Sequence, residues 1–158
     1  MVPVRIHSLG LDEQNSQPVV ILREEDGRRV VPIWIGQPEA TAILLAVQGI
    51  EPPRPLTHDL LLSVITTLGF VVERVEITRV EASTFYAALI LRGEERTIAI
   101  DARPSDSLAL AVRSGCRVFV DDEVMRTAGV IPEDEAEQEV EEFRDFLEHV
   151  DPEDFGNS

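Results

Sequence analysis

Two short segments place an arginine, a proline, a hydroxyl and a carboxylate within six residues: Arg54-Pro55-Leu56-Thr57-His58-Asp59 and Asp101-Ala102-Arg103-Pro104-Ser105-Asp106. Both read as helix starts, where proline fits the first turn and backbone N–H groups have no intrahelical acceptor. Free N–H groups beside an arginine make an anion site, so Arg54, Arg103 and Ser105 are candidate phosphate contacts. The carboxylates suit a different ligand. Asp101 at a strand end and Asp106 at a helix start could hold Mg²⁺ or Mn²⁺, with Glu39, which opens another Pro-initiated helix, as a further ligand. An ion there would polarise a phosphodiester and lower the pKa of attacking water. A purely structural reading competes with both. Thr57 and Ser105 are ordinary N-caps, Asp59 and Asp106 complement the helix dipole, and Arg103 can pair with a nearby acid. If Asp106 caps its own helix, the N–H groups it occupies are closed to phosphate.

The rest of the chain offers little other chemistry. There is no Gly-rich phosphate loop, no paired His–Glu helix motif and no serine nucleophile elbow. His7, His58 and His149 are scattered without metal-ligand spacing, and only His58 stands beside a carboxylate at a helix start. Cys116, the single cysteine, sits between Gly115 and an apolar run and reads as a small buried residue.

The elements that must position these residues follow from periodicity. Residues 2–10, 17–24 and 29–35 read as strands, the last two joined by an Asp26-Gly27 hairpin signal. Gly36 and Pro38 open a helix through Gln48, closed by Gly49. A Pro-rich loop over 50–56 leads to a helix over 58–68, N-capped by Thr57. Residues 70–80 and 84–91 pair as strands, Gly93 turns into a strand over 96–101, and Pro104 starts a helix that ends at Gly115. A short strand over 117–120 and a short helix over 121–127 follow. The order of strand, hairpin, strand and Pro-initiated helix occurs twice, which suggests an internal duplication. The fold class is therefore α+β: a strongly bent antiparallel or mixed sheet with helices packed on it.

Composition divides the chain at residue 132. Residues 133–158 hold twelve acids against Arg144, a net of −11 out of −16. Their apolar positions Ala136, Val140, Phe143, Leu147 and Val150 are spaced four, three, four and three, which predicts an amphipathic helix over 134–149. That stripe needs a partner surface, so a homodimer or higher homo-oligomer is expected. Residues 1–132 carry about −5, and every basic residue is arginine. Such a field repels nucleic acid at long range, so any nucleic-acid chemistry must use a local arginine cluster, a divalent cation or both. No stretch has the length of a membrane span, and the N-terminus lacks a signal-peptide pattern; a cytoplasmic protein is expected.

Four segments together resemble the bifunctional nuclease domain family. They are Val31-Pro32-Ile33-Trp34-Ile35-Gly36 with Glu39-Ala40, Arg54 to Leu60, Thr84-Phe85-Tyr86-Ala87, and Ile100 to Ala111, collinear within about residues 4–130. The resemblance implies an α+β fold, self-association, and nuclease activity toward DNA and RNA. It supplies no agreed catalytic motif. Asp101, Arg103 and Asp106 are the first choices for the site, with His58, Asp59, Arg54 and Glu39 behind them. A second function class is kept in view: a non-enzymatic oligomeric scaffold or regulator whose Arg-Pro segments hold the fold or a small anion.

Overall fold

The computed structural model describes residues 1–132. The expected tail helix, its apolar stripe and the acidic segment 133–158 lie outside the described residues. Among the described residues, seven strands form one open sheet in the order β3-β2-β1-β7-β4-β5-β6, and four helices complete an α+β architecture.

The first half is a meander. β1 (Val2–Asp12) pairs antiparallel with β2 (Gln17–Glu24), which pairs with β3 (Val30–Trp34). A second antiparallel meander is formed by β4 (Val71–Glu81), β5 (Thr84–Arg92) and β6 (Thr97–Ala102). β7 (Arg117–Val120) lies between the halves, antiparallel to β1 and parallel to β4, which makes the sheet mixed. Each meander is followed by a helix with proline in its first turn: α1 (Gln37–Val47) and α3 (Pro104–Ser114). α2 (Thr57–Thr67) lies between α1 and β4, and α4 (Asp122–Ala128) follows β7. Among the described residues, no helix is long and apolar enough to cross a membrane.

The core lies between the sheet and the helices. Val20, Leu22, Val75, Ile77 and Val120 from the strands meet Ile43 of α1 and Leu108 and Leu110 of α3. Burying side chains of this size contributes roughly 1.5–3 kcal/mol each before chain entropy is subtracted. α3 is the central helix, buried from Pro104 through Ala111 except for half-buried Asp106. Gly115 ends it in the left-handed region, φ 77°, with its N–H donating to the Ala111 carbonyl at 2.8 Å. Two expected caps are not caps. Thr57 is the first residue of α2, after an N-cap at Leu56, because Asp59 supplies the capping contact by accepting from the Leu56 N–H at 3.0 Å. Ser105 is the second residue of α3, buried behind an N-cap at Arg103 that makes no side-chain capping bond.

Candidate functional site

The fold gathers the four singled-out segments, far apart in sequence, around the N-terminus of α3. Pro104 fixes the backbone turn from β6 into α3. Asp101 and Ala102 finish the edge strand, Arg103 occupies the N-cap and Asp106 follows in the first turn. One open cleft is lined by Asp101, Arg103, Asp106, His58, Tyr86 and Ser107. A second, smaller opening is lined by Trp34, Ser83, Ser105 and again Arg103. Thr84 and Phe85 line both, so the two openings share a wall.

Asp106 is not a helix cap. Its Oδ1 lies 2.9 Å from Nε2 of His58, which α2 brings in from 48 positions away. The imidazole is buried, whereas the carboxylate is 39% exposed toward solvent. Among the described residues the other carboxylate oxygen makes no hydrogen bond, so a fixed acceptor faces the cleft. Arg103 is the exposed cation of the pair of openings. Its Nη1 stands 3.7 Å from Oε1 of Glu39, whose side chain is largely buried at the start of α1. Gly36 is what lets Glu39 fold back there: a Cβ at Gly36 would meet Glu39 Oε2 at 2.4 Å. Glu39 thus lies within ion-pair reach of Arg103, and the arginine side chain is 70% exposed. Asp101 is exposed in the same cleft.

Asp59 and Arg54 stand elsewhere. Asp59 accepts from Arg113 Nε at 2.8 Å and from the Leu56 N–H, while Arg113 also donates to the Ala109 carbonyl at 2.9 Å. Burial works to raise the Asp59 carboxyl, but the Arg113 guanidinium and the Leu56 N–H together hold it below the ordinary carboxylate value. Asp59 therefore joins α2 to α3. Arg54 is exposed in the loop before α2 and lines neither opening. Among the described residues, no three His, Cys, Asp or Glu side chains are arranged to hold a metal ion.

Sequence reasoning missed three lining residues. Ser107 is fully buried and its hydroxyl has no hydrogen-bond partner, a cost that calls for an explanation. Tyr86 lies under Arg79, whose guanidinium carbon is 3.9 Å from the ring centroid. Trp34 stands exposed at the end of β3. Trp34, Tyr86 and Ser107 all belong to segments already set apart by resemblance, and that was the available signal.

The family model described as "Bifunctional nuclease domain" matches residues 20–133. An uncharacterised protein of Mycobacterium tuberculosis (strain ATCC 25618 / H37Rv) is 45% identical, covering 98% of this chain and 98% of its own length. "Bifunctional nuclease 1" of Oryza sativa subsp. japonica is 30% identical over 70% of this chain and 34% of its own length. "Bifunctional nuclease 2" of the same rice is 29% identical over 68% of this chain. This chain spans about a third of those plant proteins.

Proposed function

Because this chain belongs to the bifunctional nuclease domain family, we propose that it hydrolyses phosphodiester bonds of DNA and RNA at the cleft beside α3. The observation that carries the reading is the His58–Asp106 contact, which frees the start of α3 from its own carboxylate and presents that carboxylate to the cleft. Arg103, exposed beside Glu39, binds the non-bridging phosphate oxygens and the charge that develops on them. Asp106, positioned by His58, accepts the proton of the attacking water. Ser105 supports the phosphate from behind Arg103. Asp101 adds a second carboxylate at the mouth, while Asp59 and Arg54 have no step.

The Mg²⁺ or Mn²⁺ expected from the sequence does not find a protein cage among the described residues. It would rest on Asp101, water and the substrate phosphate, and no step here runs through it. Self-association is part of the same reading. Leu60, Leu61, Val64 and Leu68 form an exposed apolar stripe along α2, and Ile100 is exposed on β6. Leu61 and Ile100 also line the cleft, so a second copy would border the site.

The test is hydrolysis of labelled single- and double-stranded DNA and RNA, with and without Mg²⁺ or Mn²⁺. Asp106→Asn and His58→Ala are each expected to lose about 100-fold or more, the usual worth of a positioned general base. The scaffold reading is favoured by one observation, the use of Asp59 and Arg113 purely to join helices. It would gain the field if both variants cleaved as fast as the parent.

A further inference from the structure

Trp34 is the only exposed aromatic among the described residues; Phe70, Phe85, Tyr86 and Phe119 are all half-buried. The indole is 48% exposed, yet it is not loose. Its N–H donates to Asp12 Oδ2 at 3.1 Å, across the neighbouring hairpin, which fixes the plane of the ring. Among the described residues β3 is an edge strand of the sheet. It borders an opening of about 270 Å³, with Phe85 and Arg103 on the same wall and Ser83 and Thr84 at the rim. A rigid indole in water beside an exposed guanidinium presents flat faces to any planar ring, and hydroxyls at the rim can meet the ring's polar edge.

We propose that the opening beside Trp34 is a nucleobase subsite, so that the protein takes unpaired nucleotides rather than paired duplex. The proposal deepens the nuclease reading and rests on it for the position of the phosphate. Arg103 lines both openings: a phosphate held there has the Asp106 carboxylate on one side and Trp34 on the other. A base can reach Trp34 only if it is out of the double-helical stack, which costs nothing in a single strand and is costly in a duplex. Stacking accepts any base, because each has a π-face, so the subsite selects strandedness and not sequence. The charge of −16 pushes the same way, since a duplex carries the denser phosphate charge and is repelled more strongly.

The chain contains one tryptophan, so its own fluorescence reports this subsite alone. The full chain is titrated with an oligothymidylate and, separately, with a hairpin duplex of equal length. Saturable quenching by the single strand and little by the duplex is expected. Anisotropy of a labelled oligothymidylate should show binding by Trp34→Ala weakened about tenfold or more, the worth of one base stack, with Trp34→Phe restoring most of it. Unchanged emission, equal quenching by both ligands, or undiminished binding by Trp34→Ala would each overturn the subsite. The two ideas fail separately: quenching without cleavage leaves the subsite and removes the nuclease, and cleavage without quenching does the reverse.

Discussion

Asp59 and Asp106 occupy the same place, third residue of their helices, and do opposite work. Asp59 folds back onto its own backbone and is gripped by Arg113, whereas Asp106 reaches across to His58. Two consecutive residues of α2 thereby hold α3 near both its ends. Removing the Asp59 charge leaves Arg113 buried without its partner, so Asp59→Asn should cost roughly 1.5–3 kcal/mol at neutral pH. Because folding lowers this carboxyl, its contribution is full above the ordinary value of 3.8 and is lost as pH falls through the depressed value below it. Urea midpoints of parent and variant should therefore converge as pH drops toward 3; a gap that stays constant would remove the linkage. Asp106 stood among the first-choice site residues and Asp59 behind it, but the two have the same local setting at a helix start. What divides them is the reach of Arg113 and His58 between helices, a tertiary fact with no local signature.

The elements themselves were legible almost throughout. Gly36, Pro38 and Gly49 bounded α1, Pro104 and Gly115 bounded α3, and strand alternation located the meanders, because backbone-restricted residues and period-two burial are local properties. The misassigned caps, Thr57 and Ser105, come from the same source. A hydroxyl at a helix start is a good cap only if no other group does the job, and Asp59 does it for α2. The β4–β5 turn hides a cost that propensity did not mark. Ala82 and Ser83 both adopt positive φ, 48° and 65°, in a two-residue connection that glycine or asparagine would make without strain. Ser83→Gly should stabilise the protein by roughly 1 kcal/mol, read as a higher thermal midpoint. A lower midpoint would mean that the hydroxyl, at the rim of the Trp34 opening, makes contacts worth more than the strain.

At the scale of the whole molecule, the exposed stripe on α2 is the largest apolar feature that the described residues leave uncovered on a helix. Burying Leu60, Val64 and Leu68 against a second copy would remove apolar surface that water now touches. Light scattering should give at least twice the single-chain mass of 17.6 kDa, and Leu60→Glu with Val64→Glu should return it to one chain. A single-chain mass for the parent would refute self-association. Charge told in advance that any nucleic-acid contact had to be local, and the cation left most exposed at the cleft is the single guanidinium of Arg103. The direction of β7 has a different consequence, for synthesis on the ribosome. The seam between the two meanders is a four-residue strand that arrives after residue 116, pairing Val4 and Val75 with Val118. Each meander can form as it emerges, but neither can join the other until nearly the whole domain has left the exit tunnel. Until then both halves display an unzipped inner edge, β1 and β4, open to pairing with another chain.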